Sequence, residues 1–125
     1  MCANIPTMIE LNLPFPISVN HYWGQRGNHR FVGKAGLAFR QEVKIRCLKR
    51  TQSLYNARLS VKVYLYPPDN RKRDLDNFAG KSLFDALEHA GVYENDSQID
   101  ELHIIRGEVV KGGACKVILE AISET

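Results

Sequence analysis

The nine residues RLSVKVYLY (58–66) put Leu59, Val61, Val63 and Leu65 on one side of an extended chain and Ser60, Lys62, Tyr64 and Tyr66 on the other. Side chains of a β-strand alternate with period two, so the stretch predicts a strand with one apolar face. A strand of that kind is stable only when a second layer covers the apolar face. Pro67 and Pro68 end it, because proline has no N–H to give to a ladder. MIELNL (8–13) repeats the alternation, setting Ile9, Leu11 and Leu13 against Glu10 and Asn12.

The covering layer is legible as two helices. From Lys34 to Arg50, Ala35, Phe39, Val43 and Cys47 recur every four residues on one stripe. From Asn77 to Ala90, Ala79, Leu83, Ala86, Leu87 and Ala90 fall together at 100° per residue. Asn77, Lys81, Ser82, Asp85, Glu88 and His89 fall opposite them, and Gly91 closes the helix at its C′ position. Phe78 alone lands on the polar side, where it would serve a local packing contact, a dimer or a nucleic-acid surface. Between the first strand and the first helix, PFPISVNHYWGQRGNHRFVGK (14–34) is full of structure breakers and predicts a loop with a short strand at HRFV. YENDSQ (93–98) reads as a loop. IDELHIIRGEVV (99–110) and CKVILEAI (115–122), joined through KGGA (111–114), predict a closing hairpin. The expected fold class is α+β, a small mixed β-sheet with two main helices packed on one face. The 125 residues suit one domain, spanning 1–125.

Charge is divided unevenly along this frame. Residues 21–73 carry 13 Lys and Arg against two acids, and residues 74–125 carry 4 against 11, or +11 followed by −7. Such asymmetry either neutralises itself across the folded domain or serves a polyanionic partner, whose condensed counterions are released when Lys and Arg replace them. The first helix contributes Lys34, Arg40, Lys44, Arg46, Lys49 and Arg50 to the basic half, with Glu42 as its one acid.

The two regimes meet at RKRDLDN (71–77). Asp74 and Asp76 lie between a strand and a helix N-terminus. As an N-cap, Asp76 would contribute about 1 kcal/mol, which leaves Asp74 without a role. As a pair, the carboxylates suit a hard divalent cation such as Mg²⁺. Asp96, in the loop after the same helix, is the third candidate ligand, provided that the helix carries the chain back toward the pair; Glu94 is its substitute. DLDNFAGKSLFD matches an EF-hand only at positions 1, 3 and 12, with Phe78 and Ala79 where a ligand and a turn glycine belong, so a calcium loop is rejected.

Other chemistries lack their residues. The histidines 21, 29, 89 and 103 form no HExxH or i,i+4 pair, and no GxSxG, P-loop or GxGxxG follows a strand, which argues against a zinc hydrolase and a nucleotide cofactor. Cys2, Cys47 and Cys115 are odd in number and widely spaced, so no disulfide framework is expected. No apolar run approaches the ~18 residues of a membrane span, and MCANIPTMIELNLPFPI lacks the basic start of a secretory signal. A reducing cytosol fits these features best.

RKRDLDN, FDALEHAG and YENDSQI, preceded by LPFPISVNHYW and GLAFRQEV, resemble the RusA-type crossover junction endodeoxyribonucleases common on bacteriophages and prophages. The blocks agree in order over nearly the whole chain. The resemblance implies a homodimeric, Mg²⁺-dependent enzyme, with Mn²⁺ as a substitute, that cuts four-way DNA junctions symmetrically. It implies Asp74, Asp76 and Asp96 as the essential aspartates and Lys81 as the catalytic lysine. Lys81 follows Asn77 by four residues where the family pattern has three, and Gly80 marks an irregular first turn able to absorb the extra residue. In this reading Arg71, Lys72, Arg73 and the basic helix, with Arg40 and Lys44, hold neighbouring phosphates. A non-catalytic dimer that binds branched DNA, and a nuclease acting on flaps or other branched DNA, are the alternatives.

Overall fold

The computed structural model describes residues 8–48 and 54–122. The two alternating stretches form β1 (Met8–Leu13) and β4 (Arg58–Tyr66), each with its odd-numbered residues inward. Two further strands, β5 (Ile99–Arg106) and β6 (Ala114–Ile122), complete a four-stranded sheet of order β1-β6-β4-β5. β6 pairs antiparallel with both β1 and β4, whereas β4 and β5 are parallel, so the sheet is mixed as expected.

Two helices, α2 (Lys34–Cys47) and α4 (Lys81–His89), cover the inward face. Leu59, Val61, Val63, Leu83, Leu87, Val117 and Leu119 are wholly buried in one continuous core. Each large apolar side chain buried there contributes roughly 1.5–3 kcal/mol. On α2 the buried stripe is Gly36, Phe39, Val43 and Cys47; Ala35, expected on it, is exposed. Gly36 takes that place because α2 presses against the preceding segment, where a Cβ would stand 2.7 Å from the Tyr22 carbonyl oxygen. Lys49 and Arg50, expected at the helix end, lie outside the described residues.

The loop expected over 14–34 holds more structure than a single strand at HRFV. A short helix α1 (Val19–Tyr22) is capped by Ser18 and leads into a hairpin of β2 (Trp23–Arg26) and β3 (His29–Val32). Tyr22 is fully buried beneath it.

The helix expected over 77–90 is two pieces. α3 (Leu75–Phe78) ends at Ala79 (φ −99°, ψ 61°), and Gly80 (φ −131°, ψ −144°) precedes α4. The break removes Phe78 from the phase of α4. Its ring instead packs on Phe15, centroids 5.2 Å apart, so the aromatic that a continuous helix would expose is partly buried. The far end is as expected: α4 stops at His89 and Gly91 takes φ 80°, a conformation that costs glycine little.

The closing hairpin does not form. Gly112 and Gly113 do turn the chain, with φ of 83° and 75°, but β4 lies between β5 and β6. The connection passes over the end of β4, where Gly107 N–H donates to Leu65 O (2.8 Å) and Val110 N–H to Pro67 O (2.9 Å). Turn residues set a reversal of direction but not which strands become neighbours. β6 buries Cys115, Val117 and Leu119 and takes an interior place, while the mostly exposed β5 stays at the edge.

Candidate active site

The parallel pairing of β4 and β5 decides where the acids lie, because α3 and α4 must return the chain to the end of the sheet where β4 began. The segment from Pro67 to Asp74 leaves β4, α3 and α4 follow, and Asp96 opens a 3₁₀ turn (Asp96–Gln98) directly before β5.

Asp74, not Asp76, occupies the N-cap position of α3, and its side chain makes no capping hydrogen bond. Asp76 stands in the first turn, and both residues are exposed. Capping therefore explains neither carboxylate. Lys81, the first residue of α4, reaches Asp96, with Nζ 2.8 Å from Oδ2. This hydrogen bond raises the pKa of the ammonium against a smaller opposing effect of burial, so Lys81 is firmly cationic. The displacement of Lys81 relative to Asn77 falls across the α3/α4 break, so helical phase does not fix its bearing relative to Asp76.

Asp96 is held by a frame that periodicity does not reveal. Gln98, 5% exposed, accepts the Glu94 and Asn95 N–H groups on Oε1 (2.9 and 2.8 Å) and donates from Nε2 to Ala57 O (2.8 Å). Asn95 Oδ1 accepts from Ser97 N–H (2.8 Å), and Glu88 Oε1 accepts from Asp96 N–H (3.1 Å). The signal was present in the sequence, since Asn95 and Gln98 stand at capping-box spacing. It is Asp96, rather than the exposed Glu94, that meets Lys81.

The structure thus joins Lys81 to Asp96 and sets Asp74 at the N-cap and Asp76 in the first turn of α3. Among the described residues it does not gather three His, Cys, Asp or Glu side chains into one metal-binding group.

The three cations of RKR are not equivalent. Arg71 is 82% exposed and only loosely paired, Nε lying 3.5 Å from Asp69 Oδ2. Lys72 is exposed. Arg73 folds back, 16% exposed, with Nη1 2.7 Å from Asp69 Oδ1 and its guanidinium 5.8 Å from the centre of the Phe15 ring. The Arg73 bond and the Arg71 N–H hold the Asp69 carboxyl at about 2. Arg106 Nη2, at the end of β5, donates to Arg73 O (2.6 Å) and ties the loop to the sheet edge.

The two basic-helix candidates also separate. Lys44 is exposed on α2, whereas Arg40 turns inward. Its Nη2 lies 2.5 Å from Asp85 Oδ2 and its Nε donates to Tyr22 Oη (2.9 Å), while Tyr22 Oη donates to the same Asp85 oxygen. Burial opposes ionisation of Asp85, but the bonds from Tyr22 and Arg40 outweigh it and lower its pKa. Burial, then the bond to Asp85, pushes the Tyr22 hydroxyl up to about 12. Arg40 is thus engaged inside the protein, a partner that helical periodicity alone does not disclose.

A family model described as "Endodeoxyribonuclease RusA" matches residues 14–120. A crossover junction endodeoxyribonuclease rusA of Enterobacteria phage HK97 is 44% identical over 103 residues, covering 81% of this chain and 84% of the relative. The crossover junction endodeoxyribonuclease RusA of Escherichia coli (strain K12) is 32% identical over 112 residues, covering 88% and 92%. A relative of the same name from Enterobacteria phage 82 matches to the same extent.

Proposed function

The chain belongs to the RusA family of endodeoxyribonucleases, and from that premise we propose that it resolves four-way DNA junctions by metal-dependent hydrolysis of one phosphodiester in each of two opposed strands. Within the chain, the observation that carries this reading is the Lys81–Asp96 contact at a helix break five residues past Asp76. It brings a cation and a carboxylate together, while Asp74 and Asp76 stand exposed at the start of α3 without a capping role.

The donor set fits a hard divalent ion: Asp74, Asp76 and Asp96 offer only carboxylate oxygens, which suit Mg²⁺ or Mn²⁺ and not a soft metal. These three residues would hold it. When bound, such an ion supplies Lewis acidity toward water and phosphate oxygen. Lys81 would stabilise negative charge growing on the scissile phosphate, since a fixed cation in that place acts most strongly where charge develops. Arg71, Lys72 and Lys44 would bind flanking phosphates and set the register of the backbone without reading sequence. Arg73 and Arg40, committed to Asp69 and Asp85, would shape the loop and the helix pair instead.

Paired cuts need two sites related by a two-fold axis. A homodimer with an isologous interface meets that need, and we assign it as the working form.

The test is cleavage of a labelled four-way junction, a flap and a linear duplex by wild type and Asp76→Asn, in Mg²⁺ and in EDTA. Symmetric paired nicks in the junction, absent in EDTA and in the variant while binding persists, support resolution. Equal cutting of flaps moves the substrate class to branched DNA in general. Junction binding without cutting in Mg²⁺ or Mn²⁺ overturns the enzymatic reading.

A further inference from the structure

We propose, on the metal-dependent reading above, that Lys81 stands in for the cation on Asp96, so that metal binding and release of the Lys81 ammonium are one coupled event. The two partners differ in freedom. The Asp96 backbone is held by Glu88 and by the Gln98 frame, so the point from which its carboxylate projects is fixed. Lys81 projects from the first position of α4 on a flexible four-carbon stem, its side chain 53% exposed.

A divalent cation on either oxygen of Asp96 would face the ammonium, now 2.8 Å from Oδ2, at a few ångströms. Like charges so close repel strongly even in a partly wet site, so the pair must open. Opening it is easy because a pair this exposed is weak.

The acids that lie nearest the released ammonium on α4 already have partners of their own. Asp85, one turn along α4, is engaged by Arg40 and Tyr22. Glu88, two turns along, accepts the Asp96 N–H. The freed ammonium, mobile on its stem, is then available to an incoming phosphate. Before metal binds, the same pairing keeps Asp96 neutralised and Lys81 away from DNA. The fold thus orders the events: cation first, then the lysine for substrate.

The test reads metal affinity without substrate. Free Mn²⁺ is measured by electron paramagnetic resonance during titration of wild type, Lys81→Met, Lys81→Arg, Asp96→Asn and Lys72→Met, at 0.15 M ionic strength, with circular dichroism confirming the fold of each. Loss of a competing exposed ion pair predicts binding about two- to fivefold tighter in Lys81→Met. Lys81→Arg, which keeps the charge, stays near wild type, and Asp96→Asn binds more weakly. Lys72→Met removes an exposed cation that makes no contact with Asp96, and salt screens its field, so its affinity is unchanged.

Affinity in Lys81→Met equal to or below wild type overturns the proposal. So does an equal gain in Lys72→Met, which would mean a general effect of charge. If wild type binds Mn²⁺ and Asp96→Asn binds it as well, the proposal falls while a metal on Asp74 and Asp76 stands. If no variant binds Mn²⁺, both this inference and the metal assignment of the proposed function fall.

Discussion

Arg40 on α2 and Asp85 on α4 meet through Nη2 and Oδ2 at 2.5 Å, one helical turn from Lys81 on the same helix. Tyr22, the buried last residue of α1, donates to the same carboxylate oxygen, so three segments of the chain converge on one acid. The side chains are only 22% and 14% exposed, which sets this pair apart from the surface ion pairs elsewhere in the protein. Because α4 presents Lys81, the convergence also bears on where that ammonium stands.

Asp85→Asn should lower stability at pH 7 by about 1–3 kcal/mol, the usual loss when a buried charge-assisted hydrogen bond is broken. The folded pKa of Asp85 is depressed, so its contribution is complete above the unfolded carboxyl value of about 3.9 and is lost as pH falls through the lower folded value. Urea unfolding of both proteins from pH 7 to pH 2.5 should show the gap narrowing only at the acidic end. A constant gap would mean that packing, not ionisation, is at stake.

Asp74→Asn and Asp76→Asn should each leave thermal stability within about 0.5 kcal/mol of wild type, because exposed side chains without a structural partner cost little to change. Junction cleavage in Mg²⁺ should fall by at least about 10²-fold, as expected when electrostatic stabilisation of the reacting phosphate is lost. Scanning calorimetry and single-turnover cleavage, run on the same preparations, separate the two effects.

Salt dependence of junction binding should distinguish the cations. Arg71→Ala and Lys72→Ala should each flatten the log–log slope by roughly 0.9, the amount for one phosphate contact removed. Arg40→Ala should leave the slope unchanged and lower stability instead, because its guanidinium is engaged with Asp85. An Arg40 variant with full stability and a flattened slope would return that residue to the DNA surface.

Gly36→Ala should destabilise the fold by about 1–3 kcal/mol, since the added methyl meets the Tyr22 carbonyl oxygen and Val32 Cγ1, both at 2.7 Å. Ala35→Gly, on the exposed neighbour, should cost only the ~1 kcal/mol of helix propensity. Chemical denaturation of the two variants decides whether α2 is seated by Gly36 as the structure has it.

The two faces of β1 and β4 were legible in the sequence because alternation leaves one possible assignment of inside and outside; a shift by one residue would bury Lys62 and expose Val61. The α2 stripe was legible at Phe39, Val43 and Cys47, and missed by one residue at its start, where close approach to Tyr22 rather than hydropathy selects Gly36. The break at Ala79 and Gly80 was legible only in part, as an irregular first turn at Gly80 and a Phe78 out of phase with one continuous helix. Only the packing of Phe78 on Phe15 shows why the chain departs from it.

Local order in the chain determined the α+β class, the strand ends at Pro67 and Gly91's closure of α4, and the placing of acids beside cations in RKRDLDN. These depend on residues near one another, whose preferences hold wherever the segment lies. The neighbours of β6, the inward turn of Arg40, and the meeting of Lys81 with Asp96 were decided by tertiary structure alone. Each joins elements far apart in sequence, and such contacts are chosen by competition for the core: β6 buries more and takes the interior of the sheet. The parallel β4–β5 pair then brings Asp96 back within reach of Lys81, so the pairing of strands settles which of the chain's acids the lysine meets.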